Sequence, residues 1–179
     1  MARILDIQQD LLKNIYENLQ GYFPELSNDP EFAPGVRTGV NTKLFYYLEY
    51  AARNGNAKNA SDILIKILER LVQMYREKIL KNIDQMHSDV VFDARTSARF
   101  ESMCLAVLHA LNSIDAYVKV NNRVRATYHY HQAMSFLAAM RNVSMGKGYS
   151  PPKEKSDVMR EVEREMFGYI MRREHTKLG

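Results

Sequence analysis

The chain has 179 residues, 46% of them hydrophobic and 26% charged, a balance that supports a packed core and excludes wholesale disorder. Its formal charge of +4 makes the distribution of charge more informative than the sum. The single cysteine, Cys104, excludes an internal disulfide, and no apolar run reaches the roughly 20 residues that span a bilayer.

Residues 1–20 predict an amphipathic helix: Ile4, Leu5, Leu11, Leu12, Ile15, Tyr16 and Leu19 recur at helical spacing, and Gly21 is a stop. Pro24, Pro30, Pro34, Gly35 and Gly39 mark residues 21–40 as an extended connection, longer than most in compact domains. A second helix is expected from Asn41 or Thr42 to Gly55. Its LFYYLEY core holds too many large side chains for a solvated face. Residues 56–60 read as a polar turn, after which Ser61 as N-cap and Asp62 in the first turn open a long helix. Ile63, Leu64, Ile67, Leu68, Leu71, Met74, Tyr75, Ile79, Ile83 and Met86 form its stripe, with charges opposite.

Ser88 and Asp89 break that pattern. The next helix, about 93–120, carries Phe100, Met103, Cys104, Val107, Leu111, Ile114 and Val118. Asn121-Asn122 is either a turn or a polar step in a longer helix, and helix continues to about Val143. The segment SMGKGYSPPKEK, 144–155, is a linker of Gly, Ser and Pro. Ser156 caps a last helix, 156–179, with Val158, Met159, Val162, Met166, Tyr169 and Ile170 inward. No alternating run competes as a strand. The expectation is an all-α, single-domain bundle of about six helices over 1–179, with extended Pro/Gly-rich arms.

Catalytic patterns are missing. No Glu stands three residues before a His, so a di-iron bundle motif is not present. His129 and His131 point to nearly opposite sides of a helix and cannot share a metal, and His87, His109 and His175 have no pattern of close ligands. Glu161 and Glu165 share a face, but Arg160, Arg164 and Arg172 interleave with them as on a salt-bridged solvent face. Gly146-Lys147-Gly148 lacks the strand and spacing of a phosphate loop and reads as a flexible linker. Cys104, in the run MCLAVLHAL, reads as a core residue. The sequence therefore predicts no enzyme, no cofactor and no metal.

Charge is unevenly placed. Residues 1–34 hold Arg3 and Lys13 against six acids, a net charge of −4; residues 119–155 hold seven basic residues against Glu154 alone, a net charge of +6. Within NNRVRATYHYHQAMSFLAAMRN, residues 121–142, Met134, Leu137, Ala138 and Met140 are positioned to face a core. Arg125, His129 and Gln132 share a polar face flanked by Tyr128 and Tyr130. Arginine makes planar, charge-assisted contacts to phosphate, and tyrosine adds a hydroxyl or a stacking ring. The candidate nucleic-acid-binding set is Lys119, Arg123, Arg125, Tyr128, His129, Tyr130, Arg141 and Lys147, gripping the backbone without base readout. The alternative is a packing helix with a solvated basic edge.

An acidic N-terminal segment and a basic later segment also suit head-to-tail contacts between copies, which propagate as rings or filaments. Tyr22, Phe23, Phe32 and Tyr149, in the two connections, either anchor on an adjacent subunit or fold back on their own. With the basic helix RVRATYHYHQ and the arm GYFPELSNDPEFAPGV, the chain resembles the α-helical coat proteins of filamentous archaeal viruses. That resemblance implies helical subunits, often paired, that wrap double-stranded DNA into a filament, with the helix facing DNA and the arm wrapping a neighbour. The reading is a self-associating, nucleic-acid-packaging structural protein, intracellular or in a virion, with no membrane partner and no secretion signal. The competing reading is a small helical adaptor or inhibitor whose basic face meets an acidic protein.

Overall fold

The computed structural model describes residues 2–32, 44–80, 90–146 and 155–178. They form six α-helices: α1 (Asp6–Tyr22), α2 (Leu44–Asn54), α3 (Ala57–Met74), α4 (Val90–Val118), α5 (Arg123–Ser144) and α6 (Lys155–Leu178). A 3-10 turn, Pro24–Asn28, follows α1, and α3 passes into a wider π-type turn, Tyr75–Leu80. Among the described residues no strand forms; the N-terminal segment makes one isolated antiparallel bridge, Arg3 to Asn56. The all-α bundle expected from the sequence is the fold observed.

α4 is the central element, packed on α5, α3, α1 and α6. It is buried on more than one face, which is why Ala98, Ala106, Leu108, Ala110, Ser113 and Ala116 are covered as well as the predicted stripe from Phe100 to Ile114; Val118, expected in that stripe, is exposed where the helix ends. Side chains from all six helices join one apolar cluster. A polar thread runs through it. The Leu5 N–H donates to Gln8 Oε1 at 2.8 Å, opening α1. Gln8 Nε2 donates to the Ser113 carbonyl and hydroxyl, at 2.9 and 3.0 Å, and the Ser113 hydroxyl donates to the Ala126 carbonyl at 2.7 Å. Every member is satisfied, so the thread fixes α1, α4 and α5 in one register without an orphaned buried group.

Several boundaries and contacts differ from expectation. α3 starts at Ala57, before the predicted Ser61 cap, because the Asn56 side chain accepts from the Asn59 N–H at 2.9 Å and caps the helix earlier. The turn ahead of it is only Gly55, at φ +72°, and Asn56, held by Ile4 N–H to the Gly55 carbonyl and Ala57 N–H to the Ala2 carbonyl. α2 buries only Leu44, Leu48 and Ala51, a single stripe, so Tyr46, Tyr47 and Tyr50 are exposed, against the prediction. Phe23 and Phe32 are fully buried in their own subunit, where Phe23 meets Phe100 edge-on at 5.2 Å and Phe32 meets Phe45 at 5.3 Å, and Tyr22 packs on the same core. They do not reach for a neighbour.

Three of the six acids of the first segment, Glu25, Asp29 and Glu31, are also used internally. Arg70 pairs with buried Asp29 and, at 3.1 Å, with Glu31, while Arg99 pairs with Glu25, donates to the Tyr22 carbonyl and lies over the Phe23 ring at 4.7 Å. Asn121-Asn122 is a turn. Ile83, Met86, the Ser88–Asp89 break and residues 147–154, with Lys147 and Tyr149, lie outside the described residues, as does the side chain of Ser156, the predicted cap of α6.

Candidate nucleic-acid interface

The turn between α4 and α5 is closed by hydrogen bonds. Asn121, at φ +52°, donates its N–H to the Tyr117 carbonyl at 3.0 Å, and the Asn122 N–H reaches the Ala116 carbonyl at 2.8 Å. Asparagine tolerates this left-handed geometry better than most residues. The Asn122 side chain accepts from the Arg125 N–H at 2.9 Å and so caps α5. With Ala126 tied to Ser113 one turn further on, the tip is stiff and its side chains are aimed by backbone geometry.

That tip presents Lys119, Val120, Arg123, Val124 and Arg125 to solvent. Lys119 pairs with Asp115 at 3.4 Å and is still mostly exposed. Arg123 lies over the Tyr117 ring at 5.3 Å. The first turn of α5 holds no acid, so its two arginines add to the positive end of the helix macrodipole where anionic side chains are preferred. Tyr128, one turn after Val124 on the same face, is exposed.

The other predicted residues have different surroundings. His129 is half-buried, its Nδ1 2.9 Å from Nδ1 of His109 on α4, and Phe136 stacks on His109 with centroids 5.6 Å apart. Burial first, and the neighbouring His129 second, push the pKa of His109 down to about 4; burial and then Arg125 lower that of His129. Both rings are therefore neutral at pH 7, one Nδ1 donating and the other accepting, and His129 orients the helix pair rather than adding charge. Tyr130 is half-buried against the core. Arg141 donates to Asn18 Oδ1 of α1 at 3.1 Å and is partly buried. At 1.5 Å per residue it lies about 24 Å beyond Arg125 along the helix axis. The structure thus groups Lys119, Arg123, Arg125 and Tyr128 at one end and sets Arg141 apart.

Residues that the sequence did not single out join that end. A cleft of about 640 Å³ runs between the start of α3, the end of α4 and the last turns of α6. Its floor is Ile65, Ile114 and Val118, and Lys58, Lys119, Arg172 and Arg173 line it. Asp62 pairs with Arg173 at 3.4 Å. The Tyr169 hydroxyl donates to Asn112 Oδ1 at 2.5 Å beneath the Arg172 guanidinium. Burial first, then Asp115 and Glu165, raise the Tyr169 pKa, and the charges of Arg172 and Arg125 oppose the rise. The basic run MRREHTK was the only signal in the sequence for the α6 contribution, and nothing local links it to Arg125.

Comparison with protein-family models, with curated proteins and with solved structures finds no match to this chain. Among the described residues no helix is long and apolar enough to cross a membrane, and no three His, Cys, Asp or Glu side chains gather as a metal site.

Proposed function

We propose that the α4–α5 end of the bundle grips the phosphate backbone of nucleic acid, double-stranded DNA foremost, in a self-associating packaging or coat protein. The observation that carries this reading is the first turn of α5: exposed Arg123 and Arg125, no acid, and a helix N-terminus that adds positive potential. Lys58 and Arg172, with Lys119 paired to Asp115 and Arg173 paired to Asp62, line the neighbouring cleft and leave it two positive charges in excess. Such a surface binds phosphates irrespective of sequence. Self-association is supported by apolar surface more than by the N-terminal acids, since three of those six, Glu25, Asp29 and Glu31, have partners in their own subunit. Tyr46, Tyr47 and Tyr50 on α2, and Phe167 and Met171 on α6, form exposed faces suited to contact with another copy. The same tyrosines favour the second reading, a helical adaptor, because tyrosine is enriched at protein interfaces.

The test is binding to a random duplex and a single strand between about 50 and 200 mM salt, with assembly followed by light scattering. Affinity should fall steeply with salt, and the K119A/R123A/R125A variant should flatten the slope by about 2–3. Absence of binding at the lowest salt, with small discrete oligomers, would refute the reading in favour of the adaptor.

A further inference from the structure

Val120 and Val124 are 70% and 83% exposed, the most exposed large apolar side chains among the described residues. The fold does not require them. The turn is closed by backbone bonds and by the Asn122 side chain, which any residue at 120 or 124 would leave intact. A β-branched residue is a weak helix former, and the second position of a helix favours polar or acidic residues. Here Val124 stands between two arginines, with Val120 across the turn and Tyr128 one turn along on the same face. The feature is a stiff turn that exposes two valines alongside Lys119, Arg123 and Arg125 in the chain.

We propose that Val120 and Val124 form a wedge that enters the minor groove of a duplex and parts a base step, while Arg123 and Arg125 hold the flanking phosphates, so that binding bends the DNA. This rests on the phosphate-binding reading above and adds the partner's form and a mechanical effect. The chemistry matches on two counts. The minor groove is only about 6 Å wide and admits a narrow tip rather than the side of a helix. Its negative potential draws arginine, and apolar side chains inserted between base steps kink duplexes by about 20–90°. A wedge also needs a rigid mount, which the Ser113–Ala126 bond and the capped turn provide.

The experiment uses the full chain and an end-labelled random duplex, with bending read by energy transfer between the ends and affinity read across a salt series. The wild type should shorten the end-to-end distance on binding. The V120S/V124S variant, changed only at exposed positions, should keep the salt slope and lose the bend, and V120L/V124L should retain it. Binding without bending, or a bend that survives the serines, overturns the wedge and leaves phosphate binding standing. No duplex affinity at low salt overturns both. In that case, binding to vesicles of anionic phosphatidylglycerol that the serines abolish would assign the tip to a lipid surface instead.

Discussion

Replacing Arg125 by alanine should strengthen the fold while weakening the binding. Arg125 stands in the first turn of α5, where unpaired N–H groups and the macrodipole together disfavour a cation by about 0.3–1 kcal/mol. Its side chain is exposed, so truncation leaves no cavity, and the Asn122 cap uses only its backbone N–H, which alanine keeps. Urea unfolding should therefore show a midpoint raised by the equivalent of about 0.3–1 kcal/mol with an unchanged m value. The salt dependence of duplex binding should flatten by about 0.9, the share of one phosphate. Arg123→Ala is the control. Relief from the macrodipole is offset there by loss of the contact with Tyr117, worth about 0.5–1 kcal/mol at an exposed site, so stability should barely move while binding falls equally. Destabilisation by Arg125→Ala of more than about 1 kcal/mol would make it a structural residue, and an unchanged salt slope would remove it from the interface.

Four further outcomes follow from the contacts. Ser113→Ala removes one hydroxyl, yet Gln8 keeps the Ser113 carbonyl as acceptor, so denaturant unfolding should show a loss of only about 1–2 kcal/mol. Arg70→Ala leaves the buried Asp29 carboxylate with only the Glu31 N–H and no countercharge and should cost about 3–5 kcal/mol, with part recovered in R70A/D29N. The folded-state pKa of His109, about 4, lies below its ordinary 6.5, so the unfolded chain binds more protons between those values. Stability is full above about pH 6.5 and falls as pH drops toward 4, by about 1–2 kcal/mol after discounting for the half-exposed ring, and His109→Phe should flatten that profile. Burial, reinforced by Glu101, pushes the Cys104 thiol up, so a thiol reagent should label it only at the rate at which the chain opens.

Helical periodicity made α1, α3 and α6 legible, because each buries one stripe and exposes the rest. Ile63, Leu64, Ile67 and Leu68 are covered where the sequence placed them. What failed to show was set by contacts distant in sequence. Asn56 outcompetes Ser61 as the cap of α3 because the N-terminal segment pairs with Gly55 and Ala57. The tyrosines of α2 look like core by size, but a short helix wedged between α1 and α3 buries only one stripe. Phe23 and Phe32 sit among prolines and read as arm residues, yet each fills the core. At the candidate site, Lys119, Arg123, Arg125 and Tyr128 lie together as the sequence grouped them because they are neighbours in the chain. Arg141 was grouped with them by composition, which ignores the rise along a helix, and Arg172 and Arg173 were missed because only tertiary packing brings α6 to the cleft.

The division of charge within the subunit bears on where partners meet it. Acids and arginines are matched inside the fold: Glu25 with Arg99, Asp29 with Arg70, and Glu163 of α6 with Arg76 in the π-type turn after α3. Local rules are obeyed in the same places, with Asp6 opening α1 and Asn56 capping α3. The Arg-Val-Arg start of α5 departs in charge at both arginines and in polarity and helix propensity at Val124, although Asn122 caps it and Ser113 braces it. Violations that cluster on a well-built support are expected where a surface serves a contact outside the fold, as the binding proposed for this turn requires. A solvated basic edge would account for the arginines alone; it does not account for two valines held out between them on a stiff turn.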